Sequence, residues 1–548
     1  MMRKSFLFFI SFLFTASTFA QTAHKALWAK PKLVVGLVID QMRWDYLYRY
    51  SELYGPNGFK RLLGQGFSCE NTLIPYTPTV TGAGHSCIYT GSVPAINGIV
   101  ANDWVERETG RPMYCAADTS VRPVGSASLV EGQMSPRNML TNTIGDELRL
   151  ATNFRSKVIG ISLKDRGGIF PAGHSANAAY WFDDKTGKWI TSTYYTTELP
   201  AWVQQYNDRK VPDSLMMTDW NLLYDKSKYI QSTADDKIYE RLLESDKSRV
   251  FPHKYQSVIG NKSYNTFRAC PYGNTYTFDF AKEIIRNEKM GQGSETDMLC
   301  VSASSTDYVG HRFGPNSLEI EDTYLRLDKD IADFLAYLDK TLGRNNYLLF
   351  LSADHGAPQT AGFLKEHNYI NTGTLSSGTV LKNMNRFCNE KFGDSLLVRR
   401  IYDFQAYLNL KRIDSLGLNV KLVKKELVTY LKSQNEIWNA FDEEELSSTI
   451  LPPVIKEKIL NSYYFRRSGD IQYFYKPQYI EGGADGTEHG TWYPYDTHIP
   501  CLFYGWGVKP GKTNRETYMT DIAPTIAAML QIQMPNGCVG KVITEVIK

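Results

Sequence analysis

Four unbroken apolar runs of strand length, each followed by charged residues, constrain this chain more than any other feature. Leu33 to Ile39 ends at Asp40, and Val158 to Ser162 leads to Lys164 and Arg166. Met298 to Ala303 precedes Asp307, and Tyr347 to Ser352 precedes Asp354 and His355. A run with no polar alternation fits a strand buried on both faces, the condition of a parallel sheet covered by helices on either side. The sequence also supplies such helices. Between Leu318 and Leu338, the residues Tyr324, Leu327, Ile331, Phe334, Leu335 and Leu338 share one face, with Arg326, Asp328, Lys329 and Asp330 elsewhere. Asp521 to Leu530 is a second amphipathic stretch, with Pro524 in its first turn. The expected fold is α/β, a largely parallel central sheet flanked by helices.

The first twenty residues stand apart from this pattern. A basic start (Arg3, Lys4), an apolar run from Phe6 to Phe14 and Thr18-Phe19-Ala20 before Gln21 read as a cleaved secretory signal over 1–20. The protein is expected to be exported to the periplasm, with no membrane span and as a monomer. The rest, 21–548, reads as one catalytic domain whose strand–helix rhythm is broken near 186–263 and 362–478. Both stretches are rich in aromatic residues and read as insertions that cap one sheet. Without Arg3 and Lys4 the formal net charge falls from +3 to +1, with no long run of like charge. That argues against nucleic acid or an acidic membrane as partner. All eight cysteines lie beyond the signal, where an oxidising compartment permits disulfides. None forms a Cys-x-x-Cys pair, which disfavours a thiolate metal site.

Open α/β sheets bind ligands at the carboxyl ends of their strands, so residues far apart in sequence can converge there. Asp40, Asp307, His311, Asp354 and His355, joined by His489 in Gly-Thr-Glu-His-Gly, give three carboxylates and three imidazoles. Such a set complements two divalent ions, and mixed nitrogen and oxygen donors suit zinc better than magnesium or copper. Asp307 and His311 are one helical turn apart and can face the same way. An isolated Asp after a strand commonly caps a helix, and an isolated His is commonly structural. His24, His85, His174, His253, His367 and His498 are assigned to that structural class. From Thr77 to Gly91, hydroxyl residues precede Gly-Ala-Gly-His and an apolar run. This pattern brings Thr81 to the start of a helix, either as its cap or as a nucleophile beside a bound phosphate. Thr79 is the fallback nucleophile, and Thr77 is structural.

Asp40, Thr-Val-Thr-Gly-Ala-Gly-His, Asn102 in Ala-Asn-Asp-Trp, Asp307 with His311, Asp354-His355 and His489 together resemble the alkaline phosphatase superfamily. The resemblance lies in its nucleotide pyrophosphatase/phosphodiesterase branch. Ser-Leu-Lys-Asp-Arg-Gly from Ser162 to Gly167 is similar to the PafA-type periplasmic alkaline phosphatases. The resemblance implies two Zn2+ ions, one held by Asp307, His311 and His489, the other by Asp40, Asp354 and His355 with Thr81 beside it. It also implies that Thr81 is the nucleophile and that Asn102, Lys164 and Arg166 hold the phosphoryl oxygens.

A monoester presents three non-bridging oxygens and about two charges, which suits a lysine, an arginine and an amide. The expected function is therefore an exported di-zinc alkaline phosphatase that hydrolyses small phosphate monoesters through a phospho-threonine. The alternatives are a phosphodiesterase or nucleotide pyrophosphatase, a phosphonate hydrolase of the same superfamily, or a non-catalytic exported protein that binds glycan or protein.

Overall fold

In the computed structural model, which describes residues 29–547 except 245 and 256–263, all four apolar runs are strands. They are β1 (Leu33–Ile39), β2 (Val158–Ser162), β3 (Asp297–Ala303) and β4 (Tyr347–Ser352), and every residue in them is buried. They lie side by side in the order β4-β1-β3-β2, all parallel. Ala178–Asp183 continues the parallel set beyond β2. The flanks turn antiparallel, with Cys501–Gly505 on β4 and Lys188–Ser192 on Ala178–Asp183. The eleven-stranded sheet is thus parallel at its centre with antiparallel pairs on either side, and a further parallel pair, Gly511–Tyr518 on Phe67–Leu73, lies at one edge. The proposed signal segment lies outside the described residues.

Register places the chemistry. Ile39 is level with Ala303, while Val38 is level with Ser302 and Ser352, and Ser162 with Ser302. The four strands therefore end at nearly the same height, and the residues just beyond them emerge along one edge. The helices that follow are α1 (Thr81–Thr90), α2 (Asp165–Ala172), α3 (Ser305–Phe313) and α4 (Leu318–Leu342). Helix α4 buries the whole face read from the sequence and runs on to Leu342; the Ser317 hydroxyl caps it by accepting from Ile320 N–H. Each of its large apolar side chains contributes about 2 kcal/mol by leaving water.

The two aromatic-rich stretches behave differently. Lys188–Ser192 belongs to the central sheet, and residues 220–232 lie against α4, where Trp220 Nε1 donates to Asp322 at 2.7 Å. The 362–478 stretch builds a four-stranded antiparallel sheet of its own, ordered Val398–Tyr402, Gln405–Leu408, Ile471–Tyr475, Ile437–Asp442. Met384, Cys388, Leu427, Leu431, Ile471 and Tyr475 belong to its separate apolar cluster. All eight cysteines are free thiols.

Candidate active site

The six ligand candidates converge at the carboxyl edge of the four central strands. Asp307, His311 and His489 offer donor atoms within 4.8 Å of one another, as do Asp40, Asp307 and His355. Asp307 belongs to both groups. On α3, His311 Nε2 lies 3.2 Å from Asp307 Oδ1, and His489 Nε2 lies 3.7 Å from the same oxygen. His355 Nε2 lies 3.4 Å from Asp354 Oδ2 and 3.6 Å from Asp40 Oδ1.

Two features of these residues fit a divalent cation. Asp40 Oδ1 and His355 Nε2 are buried without a hydrogen-bond partner, an expensive arrangement unless a cation binds them. The three imidazoles are also oriented alike. His311 Nδ1 donates to Thr487 O at 2.8 Å, His489 Nδ1 to Thr79 O at 2.7 Å, and His355 Nδ1 to Gly356 O at 3.0 Å. A carbonyl only accepts, so Nδ1 carries a proton in each ring, and Nε2 is the atom that faces the carboxylates and would offer its lone pair to a cation.

The charges are strongly opposed. Burial and the neighbouring Asp354 push the Asp40 carboxyl well up, against the pull of Lys164. Burial also works against ionised Asp307, but His311 and Lys164 outweigh it and hold that carboxyl well below the usual range. Burial, reinforced by His355 and His311, holds the His489 imidazole well down.

Thr81 is the first residue of α1, but it does not cap it. Val80, in extended conformation, takes the cap position, and no side chain makes the capping bond. The capping expectation is therefore corrected: the Thr81 hydroxyl is free for other partners and accepts from Lys164 Nζ at 3.2 Å. Two close approaches let α1 lie on the sheet. A Cβ on Gly36 would fall 2.2 Å from Tyr89 Oη, and one on Gly84 would fall 2.5 Å from Asp354 Cβ. Side chains at either position would lift α1 and carry Thr81 away from the strand ends. Thr79 and Thr77 direct their hydroxyls to the Thr491 and Gly490 carbonyls, which leaves Thr79 tied as a structural residue.

A cavity of about 360 Å³ brings Thr81, Asn102, Lys164, Arg166, Asp307 and His489 together. Asn102 Oδ1 accepts from Gly82 N–H at 2.9 Å, which leaves its Nδ2 as a donor. Arg166 Nη1 donates to Tyr114 Oη at 3.1 Å, while its buried Nε has no partner. Lys164 is more engaged than the sequence suggested. Its ammonium lies 2.6 Å from Asp307 Oδ2 and 2.8 Å from Asp40 Oδ2. These carboxylates outweigh its burial and raise its pKa, so it stays charged.

Several contributors escaped the sequence reading. His85, placed there in the structural class, touches the site: Nδ1 lies 3.0 Å from Thr81 O and 3.3 Å from Asp354 Oδ2, and Nε2 lies 2.9 Å from Ser302 Oγ. Its spacing of one helical turn from Thr81 was the available signal. Gln41 Nε2 donates to Asp307 Oδ1 at 2.8 Å, and Glu488 lies 3.0 Å from His311 Nδ1. Each adjoins a ligand candidate in sequence.

Fold and site together define an α/β protein with a paired carboxylate–imidazole set at the carboxyl edge of a parallel sheet. Residues 34–492 match the type I phosphodiesterase/nucleotide pyrophosphatase family, and the chain belongs to it. Over 97% of this chain and 95% of the relative, it is 51% identical to the alkaline phosphatase PhoV of Synechococcus elongatus. A Myroides odoratus protein named a calcium-transporting ATPase is 52% identical over 97% of both chains. The crystal structure of wild-type alkaline phosphatase PafA is similar with a TM-score of 0.93, at 48% identity over 95% of this chain and 99% of that one. The alkaline phosphatase PafA of Elizabethkingia meningoseptica is 48% identical over 94% of this chain and 95% of the relative. Among the described residues no helix is long and apolar enough to cross a membrane.

Proposed function

We propose that this chain is an exported di-zinc alkaline phosphatase acting on small phosphate monoesters through a phospho-threonine at Thr81. Its class as a phosphoric monoester hydrolase follows from relatives named alkaline phosphatases at 48–51% identity and from the shared fold. One observation carries the finer reading: a hydroxyl at a helix start, an ammonium 3.2 Å from it and a guanidinium with an unpaired Nε share a cavity beside two ligand groups.

In this reading Asp307, His311 and His489 hold one zinc ion, and Asp40, Asp354 and His355 hold the other beside Thr81. Bound zinc supplies Lewis acidity, lowering the pKa of a hydroxyl and offsetting charge on a departing oxygen. The protein's own groups do the rest. Lys164, fixed in its charged form, favours an ionised Thr81. Thr81 Oγ1 forms a bond to phosphorus as the bond to the leaving oxygen breaks, and water later releases phosphate from the threonine. Arg166 and the Asn102 amide donate to the non-bridging oxygens throughout, matching the charge of a monoester better than that of a diester. Residues 21–548 act as one catalytic unit, and residues 1–20 are removed on export.

On zinc-loaded protein, kcat/KM for an aryl phosphate should exceed that for its diester; the reverse order would replace the monoesterase with a phosphodiesterase. Export is checked by the mass of the secreted chain, which should begin at Gln21. Retention of residues 1–20 would refute cleavage.

A further inference from the structure

The cavity has a second wall, which the proposed chemistry does not use. Ser377, Ile401, Tyr402, Asp403 and Phe404, from the 362–478 insertion, and Glu481, just beyond it, line this wall. Asp403 and Phe404 form the turn between Val398–Tyr402 and Gln405–Leu408, with φ of 46° and 65°. Hairpin turns that need two left-handed residues favour Asn-Gly or Asp-Gly, because other side chains are strained there. Strain of this kind persists where the surroundings hold it, often at functional sites. Phe404 is held firmly: its ring lies 5.3 Å from Tyr475, and a Cβ on Gly490, beside His489, would fall 2.8 Å from Phe404 Cε2.

Asp403 differs from the other carboxylates of this wall. Glu481 accepts from Ser377 N–H at 2.6 Å and from Tyr475 Oη at 3.0 Å. Glu488 is engaged by His311 at 3.0 Å and lies 3.6 Å from Arg241. Asp403 accepts the Asn102 backbone N–H, and among the described residues it has no cationic side chain within ion-pair distance. Burial and the neighbouring Asp103 raise its carboxyl to about 7, so above that pH its charge faces a cavity whose opposite pole holds Lys164 and Arg166. Tyr402, Phe404 and Tyr308 add aromatic surface that suits an apolar or alkylammonium group.

We propose that this strained turn is the leaving-group subsite, and that Asp403 selects monoesters of neutral or cationic alcohols over those whose alcohol carries a carboxylate or a second phosphate. The inference rests on the phosphatase reading above. A unit charge roughly 8 Å away across a half-wet cavity changes affinity about fivefold.

The test compares wild type with Asp403→Asn at pH 9, where the Asp403 carboxyl is ionised, on ethyl phosphate, phosphocholine and phosphoglycolate; each substrate's ratio between the two proteins cancels its intrinsic reactivity. The Asn side chain keeps an acceptor for Asn102. In the variant kcat/KM should fall about fivefold for phosphocholine, rise about fivefold for phosphoglycolate and stay within about twofold for ethyl phosphate. Equal change on all three, or none, overturns the subsite and leaves Asp403 a support for Asn102 at most. Should the variant fail to fold, salt titration of wild type decides. Screening should lower the phosphocholine-to-phosphoglycolate ratio, and a rising ratio overturns the proposal. Wild type inert towards ethyl phosphate would overturn the phosphatase reading and the subsite with it.

Discussion

The two ligand groups share Asp307 yet differ in their contact with water. Asp40, Asp354 and His355 are fully buried, whereas the side chains of His311 and His489 keep 21% and 7% of their exposure. The cause is topological. Asp40, Asp354 and His355 leave the sheet directly at the ends of β1 and β4, under α1. His311 sits a helical turn further out on α3, and His489 comes from a loop after the insertion. The sealed half suits holding an ionised hydroxyl away from water, while the open half faces the cavity where substrate enters and water arrives.

The largest expected effect separates chemistry from ligand holding. Thr81→Ala should lower turnover by about four orders of magnitude or more while elemental analysis still finds both zinc ions. Unchanged hydrolysis with metal retained would remove Thr81 as nucleophile. Next comes Asp307→Asn, which removes a ligand of the open half and a carboxylate that also lies beside Asp40 and His355 of the sealed half. It should lower metal content at both positions and activity by about a thousandfold, whereas His489→Ala should deplete one position chiefly. Equal depletion by the two variants would mean that the halves are not separable. Chelation sharpens the contrast further: metal should leave wild type in two phases, the faster from the open half, with rates about tenfold apart on the scale of altered ligand spheres. A single phase would contradict the difference in exposure. His85→Gln acts on the sealed half alone and should lower activity about tenfold through Asp354 and Thr81, with a smaller change in KM than in kcat.

The smallest effect on turnover concerns the support of the open half. His253 lies between Asp246 at 2.6 Å and Glu319 at 3.0 Å, with its ring 5.6 Å from Phe313 at the end of α3. Burial opposes its charge, but the two carboxylates win and raise its pKa to about 9 from 6.5. A raised pKa contributes stability that is fully present below pH 6.5 and is lost as pH climbs through 9, at most about 3 kcal/mol. Tm should therefore fall between pH 7 and pH 10 in wild type and fall less in His253→Gln. Parallel curves would exclude this ion pair as a source of alkaline instability.

The strands were legible because doubly buried parallel strands carry no polar alternation, and β1, β2 and β4 have the bounds read from the sequence. The convergence of Asp40, Asp307, Asp354 and His355 was legible for the same reason, since each stands just beyond one of these strands, whereas His489 comes from a loop that no strand announces. Other features depend on contacts no local pattern records. Val80 displaced Thr81 from the cap because its extended backbone takes the position before the helix. Lys164 settled on Asp307 and Asp40 because register brings β1, β2 and β3 level. His85 looked like any histidine on a helix until Gly84 allowed α1 to reach Asp354. Asp403 lay in a stretch readable only as aromatic-rich, since its importance comes from a long-range approach to Asn102.

The insertion's separate apolar cluster has a further consequence for how such an enzyme diversifies. Because the 398–408 hairpin meets the cavity with its tip and is backed by the insertion's own core, mutations at that tip can be sampled while the strands of the central sheet stay as they are. Stability and chemistry are then inherited from one part of the chain while substrate preference drifts in another. Grafting the 398–408 hairpin of a relative onto this scaffold is the direct way to transplant that preference.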